Sequence, residues 1–327
     1  MKRCVVLALA MLLAVGMVTG CGGAKQPQRL RVAALLPGNI TDQGWNFTAY
    51  NGLKRIEKEL GAEVTWMEKV PPSDFEEVYR RYAQQGYHVI FGHGFQFGDP
   101  ARKVAKDFPK TWFVVTSTTI SQAPNVASLI PNAFQQGMLA GTITGLLSEK
   151  KVVGFVGGLQ IPSIVNFAKW WEAGVKYIDP NIKILSAFTG SFYDAAKAKE
   201  QALAFINQGA DIVIHNADQA GLGVIEACKE RNIKTIGAIA DQAHLAPEVI
   251  VNSVQADLTL AFEVIARKVM DKTIEAKHYN MGINDGPVAL SGWKTWDSKI
   301  PQAVKDRMNQ IVADLKSGKL TEATLPK

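Results

Sequence analysis

Cysteine is scarce in this chain of 327 residues: three occur, at positions 4, 21 and 228. A disulfide framework is therefore excluded, and no Cys-x-x-Cys spacing offers a zinc or redox site. The five histidines lie scattered at 88, 93, 215, 244 and 278, without the spacing of a metal centre. No Gly-x-Ser-x-Gly elbow, Walker loop or cysteine in a nucleophile turn is present. His215 with Asp218 or Asp241 could form a base and its orienter, but no nucleophile accompanies them. One-sided charge is missing too. The formal charge of +6 is spread along the chain without a basic block or interleaved aromatics, which excludes nucleic acid as a partner. Nothing in the chain calls for a metal or a cofactor. Long apolar runs are also lacking, since the longest, Val5 to Val18, falls short of the roughly 20 residues that span a bilayer.

What that run does have is flanks. Lys2 and Arg3 precede it and Val18-Thr19-Gly20-Cys21 follows, giving a charged n-region, an apolar h-region and a processing site. The tetrapeptide resembles the lipobox of bacterial lipoproteins, which implies that Cys21 receives a diacylglycerol and becomes the new N-terminus. Residues 1–20 are then a signal peptide, and 21–29 a lipidated cysteine with a polar tether. The expected location is the extracytoplasmic face of the cell membrane. Cys4 leaves with the leader, so Cys228 has no intramolecular partner and reads as a small buried hydrophobe on a helix.

From Leu30 onward, short apolar runs rich in β-branched residues alternate with longer amphipathic stretches, the pattern of parallel α/β units. The pattern predicts strands over 30–36, 63–67, 89–91, 112–116, 126–130, 152–156, 182–187, 212–215, 235–238 and 249–254. Helices are predicted over 46–60, 73–85, 100–107, 134–147, 167–177, 194–208, 221–231 and 258–270. Gln84-Gln85-Gly86 and Asn207-Gln208-Gly209 echo each other, each placing a glycine at a helix end before a strand. A chain of this length exceeds one ordinary core, so two similar α/β halves meeting at a cleft are expected. Ligands in such sheets sit beyond the carboxyl ends of the strands. The functional loops are then those after Leu36, Phe91, Thr116, Val156, Ala187, His215 and Ala238.

The first of these loops, Pro37 to Asn46, is polar and ends in Trp45, an indole placed either as a stacking platform or as a core anchor. Asp42 and Asn46 flank it, and Asp42 can equally cap the following helix. The second loop, Gly92 to Pro100, mimics a dinucleotide fingerprint, but its third glycine is late and no acidic residue ends the next strand. Its glycines serve better to admit a ligand while Phe95 or Phe97 lines the cleft. In the second half, Gly190-Ser191-Phe192-Tyr193-Asp194 brings aromatics to a strand end, and His215-Asn216-Ala217-Asp218-Gln219 brings dense hydrogen-bonding capacity. Phe192 as core and Asn216 as a turn residue are the plainer alternatives. Aromatics from both halves with polar neighbours describe a pocket for a flat, polar-edged ring. Trp170-Trp171 cannot point the same way on a helix, so one is core and the other lies at the surface.

These segments, with the lipobox, resemble the basic membrane protein family of ABC-transporter substrate-binding lipoproteins. The carriers are Asp42-Gln43-Gly44-Trp45-Asn46, Gly94-Phe95-Gln96-Phe97-Gly98-Asp99, Gln136-Gly137-Met138-Leu139-Ala140-Gly141, Gln208-Gly209-Ala210-Asp211 and Asp241-Gln242. The resemblance implies a type I periplasmic-binding fold: two doubly wound parallel-sheet lobes, joined by three crossovers, with a ligand between them. Crossings are expected near Ser128 to Pro131, Ala240 to Gln242 and Lys272 to Ala276. The first lobe would take 30–128 plus 242–272, and the second 129–241 plus 273–327. It also implies a monomer that binds a small purine-like heterocycle and hands it to an ABC permease, with no enzymatic role. Trp45 would stack on the ring, with Phe192 opposite, and Asp241 would join the ligand contacts. Nucleoside-binding relatives carry two aspartates and a lysine where this chain has Leu36, Ile239 and Gln255. Without that grip on a ribose, a free purine base is the expected ligand, and the segment from Gly158 to Pro162 through Phe192-Tyr193-Asp194 is similar to the base-binding branch. A nucleoside held differently, a riboflavin-like ring, a receptor-presented signal and an enzyme acting on a small heterocycle are the alternatives.

Overall fold

The computed structural model describes residues 29–42 and 44–325. The expected signal peptide, Cys21 and most of the tether lie outside the described residues. No described helix is long and apolar enough to cross a membrane.

The first lobe runs through β1 (Arg31–Leu35), α1 (Trp45–Leu60), β2 (Glu63–Met67), α2 (Phe75–Gln84), β3 (Val89–Gly92), α3 (Gly98–Ala105), β4 (Trp112–Thr116) and β5 (Val126–Pro131). The second runs through α4 (Ala133–Leu147), β6 (Val152–Gly157), α5 (Pro162–Ile178), β7 (Lys183–Phe188), α6 (Ala195–Asn207), β8 (Ile212–Asn216), α7 (Gly221–Arg231), β9 (Thr235–Ile239) and β10 (Ile250–Ala256). Four further elements follow: α8 (Leu258–Met270), β11 (His278–Met281), β12 (Val288–Leu290) and α9 (Gln302–Ser317).

The first sheet has the order β2-β1-β3-β4-β5-β11, and every pairing in it is parallel. In the second lobe β7-β6-β8 and β9-β10-β12 form two three-stranded groups, linked where Ile212 bridges Lys234. The doubly wound order thus occurs twice, with β6 in the place of β1. Strands such as Val-Ile-Phe-Gly in β3 are buried end to end, as parallel strands covered on both faces must be. Gly86 and Gly209 end their helices at φ 78° and 98°, the left-handed geometry expected of both.

The chain crosses between lobes at Pro131–Asn132, at Ala256–Asp257 and through residues 282–287, after β11. Two expected crossings are thereby corrected. β10 pairs with β9, so the chain does not leave the second lobe near 240–242. β11 pairs with β5, so it does not leave the first lobe near 272–276. By sheet membership, 242–256 falls in the second lobe, while 129–131 and 273–281 fall in the first. α8 returns to the first lobe, where Phe262 stacks on Phe91 at 4.0 Å between ring centroids.

In the second lobe α4 and α5 pack with almost nothing between them. A Cβ at Gly141 would collide with the Trp171 carbonyl, and one at Gly145 would come within 2.8 Å of Ile178 Cβ. Trp171 is buried and its Nε1–H donates to Thr144 Oγ1 at 3.1 Å, while the partly buried Trp170 meets Phe134 edge-on.

Candidate functional site

A cavity of about 320 Å³ lies between the lobes. Its first-lobe wall comes from Pro37, Trp45, Phe95 and Ser117, which follow β1, β3 and β4. Leu159, Phe192, Asn216, Asp218 and Ile239 supply the opposite wall from the ends of β6, β7, β8 and β9. These are the carboxyl ends of the strands, where the sheet order predicts a ligand. Three wall residues, Ser117, Asp218 and Ile239, hold positive φ angles of 58°, 52° and 72°. Such conformations are unusual for non-glycine residues and gather at ligand sites.

The Trp45 platform is built from the start of α1. Asp42 accepts hydrogen bonds from the N–H groups of Gly44, Asn46 and Phe47 at 3.0, 2.8 and 3.0 Å. Those N–H groups have no intrahelical partner, and a carboxylate beside them complements the helix dipole. The Asn46 side chain is buried; it donates to Asp42 at 2.7 Å and accepts from the Gly38 N–H at 3.2 Å. Asp42 and Asn46 are therefore taken up in shaping the loop and do not line the cavity. Behind the indole lies His93, stacked on Trp45 at 4.2 Å with 17° between ring planes. His93 Nε2 meets the Trp45 carbonyl at 2.9 Å, so it carries the proton there and donates. Burial pushes this imidazole down to about 3, keeping it neutral at physiological pH.

The second lobe brings Phe192 against Gly158, where an added Cβ would strike the phenyl ring. The turn that carries it is braced by Thr189 Oγ1 donating to the Ser191 carbonyl at 2.8 Å, and by Ser191 Oγ accepting from the Tyr193 N–H at 3.0 Å. Asp218 reaches across the cleft to accept from the Trp45 N–H at 3.2 Å, so the lobes are in contact at the platform. Burial, with Asp42 nearby, pushes the Asp218 carboxyl up to about 7. Phe95 and Tyr193 stand at 41% and 54% exposure, which places them at the cavity's open rim.

Two further expected contacts lie away from the cavity. His215 is fully enclosed beneath the wall, packed against Gly221, and its ring is pushed down to about 4 by burial. Asp241 borders a separate shallow surface pocket, where it accepts from the Ala243 N–H at 3.2 Å and pairs with Lys294 at 3.2 Å. Burial raises its carboxyl pKa, but these two partners outweigh that and leave it below the usual range. Conversely, Ser163, Ile164 and Phe167 line the cavity because α5 begins at Pro162, five residues before the predicted start. Proline at the first helical position was the available signal.

Among the wall residues the ionisable groups are Asp218 and Tyr193, and no lysine or arginine is present. Such a wall suits a neutral ring with N–H groups, and it offers nothing to balance a phosphate. No group of metal-ligating side chains occurs among the described residues.

A family model described as Bmp, ABC transporter substrate-binding protein PnrA-like, matches residues 29–326. The chain belongs to this family. A purine-binding protein of Brucella abortus is 27% identical, over 93% of this chain and 86% of that protein. An ABC transporter nucleoside-binding protein of Lactococcus lactis is also 27% identical, over 98% of each chain. Among solved structures, a solute-binding protein of an Aeropyrum pernix ABC transporter superposes with a TM-score of 0.80 at 20% identity, over 91% of this chain and 94% of that one. As a Bmp-family protein this chain has the type I solute-binding architecture and serves an ABC transport system outside the cytoplasm.

Proposed function

We propose that this chain binds a purine base-like heterocycle between its lobes and delivers it to the permease of an ABC importer, while anchored to the membrane through lipidated Cys21. The observation that carries the ligand reading is the Trp45 indole, fixed by Asp42 and backed by His93, on the wall of a cavity that also holds Phe192 and Phe95. An aromatic face held rigid before the ligand arrives suits stacking, because little ordering cost remains at binding. Trp45, Phe95, Phe192, Asn216 and Asp218 are the proposed contacts. Asp42, Asn46 and His215 shape the site from behind. The protein binds and releases its ligand without turnover.

A nucleoside is the second reading, favoured by the name of the Lactococcus relative. Against it stand Leu36 in the core and Ile239 on the wall, which leave sugar hydroxyls without charged partners at about 1–3 kcal/mol each. Titration of adenine, guanine, hypoxanthine and their ribosides, followed by tryptophan fluorescence, decides between them. A riboside binding a hundredfold more tightly than its base would replace the base reading. For the anchor, Cys21→Ser should leave an uncleaved precursor or a soluble product; normal acylation and processing of that variant would sink it.

A further inference from the structure

Ile239 is the least expected residue on the cavity wall. It ends β9 at φ 72°, and the Ala240 N–H donates to the Ala238 carbonyl at 2.8 Å, which closes a three-residue turn around it. Such a turn is rare and strained for a residue with a Cβ, and more so for a β-branched one. Asparagine, aspartate or glycine would adopt it more readily. The surroundings hold it in place: the Ala238 N–H donates to Gln242 Oε1 at 2.9 Å, and Ile239 pairs with Gln255 in the β9–β10 ladder. The fold therefore keeps a branched apolar side chain at this spot despite the backbone.

Its companions on the wall are of the same kind. Ile130 and Pro131 at the first crossing, Leu159 after β6, and Ile164 and Phe167 on α5 are all apolar. The polar wall groups beside them, Gln136 and Ser163, are neutral. At about 320 Å³ the cavity falls within the range of roughly 300–1,000 Å³ that encloses drug-sized ligands, and a bare bicyclic base fills only part of it.

We infer that the cavity selects a purine-like ring bearing an apolar substituent, an alkyl or alkenyl group, in preference to either the bare base or a riboside. The inference rests on the heterocycle reading above. The ring stacks on Trp45 with its N–H edge available to Asp218 and Asn216, and the substituent is buried against the isoleucine, leucine and phenylalanine side chains. Apolar area removed from water supplies the gain in affinity, and the same surface rejects hydroxyl groups that it cannot pair.

Calorimetric titration of the purified protein with adenine, 9-butyladenine, N6-butyladenine and adenosine tests this. At least one butyl compound should bind about tenfold more tightly than adenine, and adenosine should bind less tightly than that compound. Ile239→Asn should lose most of this gain, so that the ratio of butyl-compound to adenine affinity falls toward one, and should melt no lower than the parent because the turn is eased. Should the variant fail to fold, the ligand series on the parent protein still decides. If adenine binds but neither butyl compound binds better, or if adenosine binds best, the inference falls while the heterocycle reading stands. If none of the four binds, both fall.

Discussion

The loop after β1 in the first lobe is tied down from within. Asp42 holds three backbone N–H groups, Asn46 is buried in the same network, and His93 supports the Trp45 ring from behind. Across the cleft, Phe192 rests on glycine backbone, Tyr193 is more than half exposed, and Asp218 and Ile239 sit in left-handed backbone. The strand order is the same in both lobes, yet one wall is a preformed platform and the other is an assembly of turns. A rigid platform gives affinity that is already free of ordering cost. In the proposed reading, the opposite wall carries the residues whose chemistry distinguishes one ligand from another.

The largest effect should follow from removing the platform. Trp45→Ala is expected to weaken purine binding at least tenfold, about 1.4 kcal/mol, while Trp45→Phe loses less because a flat face survives. The fluorescence quench on binding should largely vanish in the phenylalanine variant. A milder loss in the alanine variant than in Phe192→Ala would reverse the assignment of platform and cover.

Next comes the contact between the walls. The Asp218 carboxyl stands near 7 in the closed cleft against an ordinary 3.8. Opening exposes it, so the closed form holds the proton more tightly. Closure is then fully favoured below about 4 and is weakened as pH rises through about 7. Small-angle scattering of the unliganded protein should show a more compact particle at pH 5 than at pH 8, and Asp218→Asn should abolish the difference. Equal dimensions in the parent at both pH values would sever the link between this carboxyl and closure.

Phe192→Ala should cost about threefold, because the turn bearing it can readjust. Asp241→Asn should leave binding within about twofold, since that side chain faces Lys294 at a separate surface pocket. A tenfold loss from Asp241→Asn would place it back among the ligand contacts.

The strands of both lobes were legible because buried parallel strands announce themselves as unbroken apolar runs, as in Val-Ala-Ala-Leu of β1 and Ile-Val-Ile of β8. β11 was not, since His278-Tyr279-Asn280-Met281 buries only alternate residues at a sheet edge. β12 has three residues and pairs antiparallel, which hid it as well. The last crossing was misplaced for that reason, since it follows β11, whose partner β5 lies far away in sequence; the second was placed one strand early, before β10 had paired with β9. The places of Trp45, Phe192, Asn216 and Asp218 on the cavity wall were legible from their positions at or after strand ends. His93 as the backing of Trp45 could not, because its contact depends on two loops meeting across the sheet. Asp241 misled because Lys294, its partner, comes from a distant turn.

The glycines of α4 have a mechanical consequence. Gly137, Gly141 and Gly145 bring the α5 backbone so close that no side chain can yield between the two helices. α4 begins directly after the first crossing, with Asn132 Oδ1 accepting from the Gln135 N–H at 2.9 Å, and α5 carries Ile164 and Phe167 on the cavity wall. Torsion at Pro131–Asn132 is thus passed to the far wall through a stiff coupling with no play, and the two helices act as the arm of a lever whose fulcrum is the hinge.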